Sequence, residues 1–267
     1  PARTAPPASL TREWTLMSSE PRRAAHGPPW ARRAEKVSVV IAKEIVRDIA
    51  RQRLAPGSTL EPEGAMLRRY RVARASLREA LRILEIHGLI RIKPGPGGGP
   101  VVAHVDSDDF GRMASLFFQA LDVRVAELVD TRLIMEPMLT RLAAERRDPE
   151  WEDRLRDAVQ AGFDAADAEE WCRAAHAFHT LIMSMAGNRP LALMTLAVRD
   201  ILADRFFDLV YPDRHRDEAA RVHAAIAEAI LGGDGDKAER LMRDHIAEFA
   251  DSIALHHELL AETVAWR

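Results

Sequence analysis

The chain has 267 residues and a mass of 29.8 kDa, long for one compact core, and its 47% hydrophobic and 30% charged residues suit a globular protein of two domains or one large one. A single cysteine, Cys172, excludes an intramolecular disulfide framework and a four-cysteine zinc module, and fits a reducing cytoplasm; no apolar run approaches the roughly 20 residues of a membrane-spanning helix. The formal net charge of −3 hides a division: residues 1–105 hold 19 Lys and Arg against 9 Asp and Glu, while residues 106–267 hold 19 against 32. A basic first third joined to an acidic remainder points that first third at a polyanion.

Residues 1–36 are rich in Pro, Ala and Arg without an apolar period, and are expected to be a disordered arm. From Val37 the apolar residues Ile41, Ile45 and Ile49 recur every four positions, which predicts an amphipathic helix. Pro56 and Gly57 end it, and a short helix follows from about Glu61 to Tyr70. After a turn at Arg71–Ala73, a second helix is expected over Arg74 to His87. It carries Leu77, Leu81 and Leu84 on one face and Arg74, Arg78 and Arg82 on another, with Gly88 placed to end it. LIRI and VVA, separated by KPGPGGGP, read as two short strands around a flexible tip. The order is that of a winged helix–turn–helix, predicted over residues 37–105. Helical periodicity then runs through residues 106–267, in segments near 107–121, 123–147, 149–165, 168–187, 190–210, 214–232 and 234–262. The fold class expected is therefore mainly α: a winged helix–turn–helix with a small β-hairpin, followed by an all-α bundle of six or seven helices.

Arg74 and Arg78 stand one turn apart on one helix face, with Ser76 between them. Guanidinium groups at that spacing can bridge guanine O6 and N7, and a helix start favours nearby phosphate. Ser76-x-x-Glu79 also reads as a capping box, which would start the helix two residues later. Lys93 and the glycines of the tip, Gly95 among them, can bring the chain close to DNA. Three arginines on a lone helix are ordinarily a solvated face; the preceding turn, the following hairpin and the basic charge of the segment favour DNA binding.

The stretch PGSTLEPEGAMLRRYRVARASLREALRILEIHGLIRIKPGPGGGPVV resembles the winged-helix domain of GntR-type bacterial transcription regulators. The resemblance implies base contacts by Arg74 and Arg78, support from Ser76, and a wing at Lys93–Gly98. Gly64 stands where the family usually has a DNA-touching arginine, and Ala73 replaces a usual Ser or Thr, so the operator sequence is not carried over.

Beyond residue 105, His176 and His179 share a helix face, and His223 and His245 sit on the next two amphipathic helices. Three helices can converge three imidazoles on one point, a workable zinc or nickel site, although each histidine alone is ordinarily a satisfied, partly buried side chain. AFHTLIMSMAGNRPLALM and HAAIAEAILGGDGDKAERLMRDHI resemble the FCD effector domain of the FadR subfamily. Many of its members bind a divalent metal through Asp-x-x-x-His, His and His. The intervals of 44 and 22 residues separating His179, His223 and His245 agree, whereas the aspartate's place is Ala175. The resemblance thus implies a site of His179, His223 and His245, with His176 a possible neighbour. It also implies that Arg132 and Glu136 line an effector cavity, Arg132 clamping an acid and Glu136 orienting it; an ordinary helix salt bridge is the alternative. Asn188 either touches the effector or caps a helix.

These features predict a ligand-responsive transcriptional repressor that is not an enzyme. Its partners would be a palindromic double-stranded operator, a small carboxylate effector and a second copy of itself, with no membrane partner. Two alternatives stand beside it: the same regulator with a metal-free cavity for an acyl-CoA-like ligand, and a metallohydrolase with a DNA-docking module. The second lacks H-E-x-x-H, G-x-S-x-G and a general base beside the histidines.

Overall fold

The computed structural model describes residues 35–95, 97–104, 107–210, 213–254 and 257–266, with side chains left undescribed at 204–210, 213–215 and 257. Nearly all of the arm expected at 1–36 therefore lies outside the described residues.

Helix α1 (Val37–Arg51) buries Ile41, Ala42 and Ile45 against α3 (Arg74–Ile86), with the short α2 (Glu63–Tyr70) between them in sequence. Val37, the first residue of the expected stripe, is exposed. Arg71 adopts a left-handed conformation that stops α2. The chain is extended at Ala73, whose carbonyl accepts the first bond of α3 from the Leu77 amide at 3.2 Å. The helix thus starts at Arg74 without a side-chain cap, and the start implied by a Ser76–Glu79 capping box is not realised.

Strands β1 (Ile90–Lys93) and β2 (Gly99–Val102) pair antiparallel, Ile90 opposite Val102 and Lys93 opposite Gly99. The PGSTL turn does more than interrupt helices: Gly57, Ser58 and Leu60 exchange backbone bonds of 2.8–2.9 Å with β2, and Thr59 bridges Val101. That zipper carries the wing onto a core of Ile45, Leu60, Met66, Leu77, Leu84 and Ile90. Gly88 ends α3 at φ +70, and a Cβ there would stand 2.4 Å from the Asp109 carboxylate, which is held by Arg112. Gly88→Ala is expected to lower stability by about 1–2 kcal/mol, the cost of a left-handed conformation for a residue with a Cβ; thermal melting of the variant checks it.

The remaining elements are helical: α4 (Ser107–Ala120), α5 (Val125–Arg146), α6 (Glu152–Asp164, entered by a 3₁₀ turn), α7 (Ala168–Met185), α8 (Arg189–Val210), α9 (Asp213–Gly232), α10 (Gly235–Ala254) and the single turn α11 (His257–Leu260). The segment expected as one helix over 234–262 is divided into α10 and α11. Helices α5, α7, α9 and α10 enclose a core that includes Leu139, Phe178, Ile182, Ile226, Met242 and Ile246. Pro137 lies inside α5 and cannot donate to the Leu133 carbonyl. Arg243 of α10 reaches that carbonyl instead, at 3.4 Å, so α5 continues unbroken through the site it carries.

Candidate functional site

Arg74 and Arg78 project from the exposed face of α3, their side chains 70% and 65% exposed. Ser76 between them is half-buried. Lys93 and Gly95 are exposed at the wing, where Gly95 (φ +94) and Gly97 (φ +79) form a turn closed by the Gly98 amide on the Gly95 carbonyl at 2.9 Å. Gly98 tolerates no side chain there, since a Cβ would meet the Lys93 carbonyl at 2.2 Å. One contact escaped sequence reasoning. Glu63, the first residue of α2, faces both arginines: its Oε1 accepts from Arg78 Nε at 3.3 Å and lies 3.5 Å from Arg74 Nε. Glu63 thus meets both guanidiniums most closely at Nε, beside the terminal nitrogens that can bridge guanine. Only the Glu in PGSTLEPE signalled it, and that spacing alone does not show which arginine it meets.

In the helical part, His179 of α7, His223 of α9 and His245 of α10 converge. All three are at least 96% buried, and one ring nitrogen from each lies within 4.8 Å of the others. The Nε2 atoms of His223 and His245 are 3.2 Å apart. His179 Nδ1 donates to Glu136 Oε2 at 2.7 Å, which leaves its Nε2 as the lone-pair donor. Glu136 is itself fully buried and ion-paired through its other oxygen with Arg132 one turn earlier on α5. The Arg132 guanidinium also lies over the Phe249 ring at 4.3 Å. Here Glu136 orients a histidine as well as the arginine it was expected to position.

His179, His223 and Arg132 border a cavity of about 250 Å³, whose wall also includes Trp171, Ala175, His176, Arg199 and Phe249. His176 stands outside the three-histidine group, half-exposed on the wall with Nδ1 3.7 Å from Asp200 Oδ1. Asn188 is not part of this wall; its Oδ1 accepts the Leu191 amide at 3.2 Å and caps α8. Arg199, 9% exposed and donating to the His176 carbonyl at 3.3 Å, was not foreseen. It sits in TLAVRD, where periodicity alone does not mark a charged side chain as inward.

Burial sets the protonation of the cluster. It pushes His179 down to about 4 against the opposing pull of Glu136, and His245 to about 3. His223 is lowered well below its ordinary value by burial and by the neighbouring His245 and His179. The nearby guanidiniums and His179 outweigh burial at Glu136 and hold its carboxyl well below the ordinary range. At neutral pH the site therefore presents three neutral imidazoles and one carboxylate. Because the unfolded chain binds protons at these histidines below about pH 6.5 and the folded chain does not, stability is expected to fall as pH drops from 6.5 toward 4. Each histidine contributes a slope of up to about 1.4 kcal/mol per pH unit in that window. Denaturant midpoints measured between pH 7.5 and 4.5 check it; a flat profile contradicts it.

The donor set fits a divalent cation. Nitrogens ligating tetrahedral zinc at about 2.0–2.1 Å lie about 3.3–3.4 Å from one another; the His223–His245 pair is already at 3.2 Å, and the ligating nitrogen of His179 lies within 4.8 Å of both. His179, His223 and His245 would hold the ion, and Glu136 would fix the ring of His179.

A winged helix–turn–helix followed by an all-helical domain with a cavity bordered by buried histidines and arginines is the architecture of a DNA-binding regulator with a sensory module. Residues 38–98 match the bacterial regulatory proteins of the gntR family, and residues 127–248 match the FCD domain. The chain belongs to the GntR family of DNA-binding transcription regulators and carries the FCD effector domain of the FadR-like subfamily. It is 29% identical over 226 residues to the HTH-type transcriptional repressor NanR of Cronobacter sakazakii, covering 82% of this chain and 85% of that protein. It is 26% identical over 211 residues to the HTH-type transcriptional regulator LutR of Bacillus subtilis, covering 77% and 95%. A solved structure described as Streptococcus agalactiae GntR shares the fold, with a TM-score of 0.66, 20% identity, and coverage of 80% of this chain and 99% of that one.

Proposed function

We propose that this regulator is a repressor whose helical domain, over residues 106–267, senses a small organic acid at a divalent-metal site and transmits its presence to a winged helix over residues 37–105. The observation that carries this is the buried Arg132–Glu136–His179 chain, leading to His223 and His245 beside a cavity with arginines in its wall. Neutral imidazoles suit zinc or nickel, and guanidinium suits carboxylate. A cavity of about 250 Å³ has room for a small acid. The ion would supply a Lewis-acidic contact for the acid's oxygen; Arg132 would pair with the carboxylate, and the aromatic rings of Trp171 and Phe249 would exclude water. Repression is supported by the relative NanR, named as a repressor.

A homodimer on a palindrome follows from one winged helix reaching one half-site. Leu116 and Phe117 on α4 and Leu121 just beyond it stay exposed, which supports contact with a second copy there. Among the described residues no helix is long and apolar enough to cross a membrane, in keeping with the cytoplasmic role proposed. The test is a gel shift with the DNA upstream of the protein's own gene: a specific, salt-sensitive complex is expected, released by an acid in the presence of zinc. Absence of any specific complex contradicts the function.

A further inference from the structure

A separate groove of about 1050 Å³, sharing no wall residue with the histidine cavity, is bordered by the ends of α5 and α7, the start of α8, and His104 and Ser107 of the connection from β2 to α4. The buried side chains of Met183, Met185 and Ala192 line it. Its charged groups are Arg146, Arg147 and Arg189 against one carboxylate, Asp148, whose Oδ1 accepts the Glu150 amide at 3.1 Å. Among the described residues, none of the three guanidiniums has an ion-pair or hydrogen-bond partner. Helix electrostatics accounts for two of them: Arg146 and Arg147 close α5, where the negative end of the helix dipole favours cations. Arg189 is different. It is the first residue of α8, a 22-residue helix with no acidic residue in its first turn, so its charge stands at the dipole end that repels it. It also lies two residues from Gly187, against which the Arg146 guanidinium is packed so closely that a Cβ there would meet its terminal nitrogen at 1.4 Å. The wall holds an orphan as well: Thr180 Oγ1 is closed off from solvent and has no hydrogen-bond partner among the described residues.

Guanidiniums gathered at the start of a long helix are the ordinary elements of a phosphate site. The space is far larger than one phosphate, at the upper end of the roughly 300–1,000 Å³ of organic-ligand sites. Its methionines and the half-buried ring of Trp151 offer an organic body apolar surface. The arm of residues 1–36 carries the wrong charge to fill it, with 7 Lys and Arg against 3 Asp and Glu. We propose that this groove is a second ligand site, for an organic phosphate: Arg146 and Arg189 hold the phosphate, Arg147 adds to the positive field, and Trp151 and the methionines take the organic body. The site uses neither the histidines nor a metal, so it stands or falls apart from the acid-sensing function proposed above.

The test is calorimetric titration of the full chain, without a histidine tag and with a chelator present so that no metal binds the phosphate, using ADP, pyrophosphate and adenosine as probes. ADP is expected to bind saturably, pyrophosphate to compete with it, and adenosine, which lacks phosphate, not to bind. Arg146→Ala and Arg189→Ala, both at exposed positions, are each expected to weaken ADP by about tenfold or more, as loss of one charge-assisted pair does. Absence of saturable binding by either phosphate in the parent chain overturns the site, an outcome that needs no variant to fold. Binding of pyrophosphate but not ADP overturns the organic ligand. ADP binding that both variants retain at parental strength overturns the placement in this groove. Duplex DNA of arbitrary sequence is titrated against the same variants and is expected to bind them as it binds the parent. A loss there matching the loss of ADP reassigns these arginines to the DNA backbone and overturns the proposal.

Discussion

Glu136→Ala is expected to lower the unfolding free energy by about 3–5 kcal/mol, the usual cost of leaving a buried charge without its partner. Such a loss is a large part of the 5–15 kcal/mol that holds a domain together. The side chain is fully buried and serves two partners at once, Arg132 and His179. Removing it leaves the Arg132 guanidinium, which lies over the Phe249 ring, without this carboxylate and frees His179 Nδ1 to choose the wrong tautomer. Glu136→Gln keeps the shape but not the charge. It should retain more stability than the alanine variant and still weaken zinc binding about 10–100-fold, as loss of a group orienting a ligating histidine does. The pH dependence carries a sign of its own. The Glu136 carboxyl is held below its ordinary value, so its contribution is present above about pH 4.5 and fades as pH falls. The variants should therefore lose that acid-side slope and keep the histidine slope between pH 6.5 and 4. Denaturation across pH, with chelator competition at pH 7.5, separates the two. A Glu136→Gln protein with parental stability and zinc affinity contradicts the assigned role.

Arg74→Ala and Arg78→Ala are each expected to cost about 1–3 kcal/mol of sequence discrimination, the worth of one bidentate base contact, or about 5- to 150-fold in specific affinity. Lys93→Ala, on the wing, should weaken specific and non-specific complexes alike and reduce the salt slope by about one unit. Glu63→Gln separates buttressing from simple repulsion. If Glu63 aligns the two guanidiniums it contacts, the variant binds arbitrary DNA more tightly but discriminates less. Fluorescence anisotropy on a duplex selected by the parent protein from a random library, against a scrambled duplex, reads each effect. Equal losses on both duplexes for the Arg74 and Arg78 variants would reassign those side chains to phosphate.

The winged helix was legible because local rules agree. Leucines at helical spacing, Gly88 at the helix end and glycines at the wing tip each demand one conformation, and α3, β1 and β2 lie where those residues put them. Contacts between distant segments were not legible. The pairing of PGSTL with β2 arises from backbone bonds that no side-chain pattern records. The spacing of His179, His223 and His245 signalled the three-imidazole group, but which nitrogen faces inward depends on Glu136, on a helix 43 residues earlier. Helix α5 hid that role, since its inward face carries Arg132 and Glu136 among apolar residues and contains Pro137, which weakens any periodic signal. Arg199 was hidden for the same reason. A charge that is buried because it borders a cavity cannot be distinguished in sequence from one that faces water.

The central claim is that one chain couples a DNA-reading helix to a buried acid and metal site. It is tested most directly by titrating the complex of this protein and its own upstream DNA with glycolate and related small acids, at fixed zinc, and repeating the titration with His223→Ala. The account predicts that at least one small acid shifts the affinity for the specific duplex by tenfold or more, and that the His223 variant, still folded and still bound to DNA, does not respond. An unchanged response in that variant would contradict it.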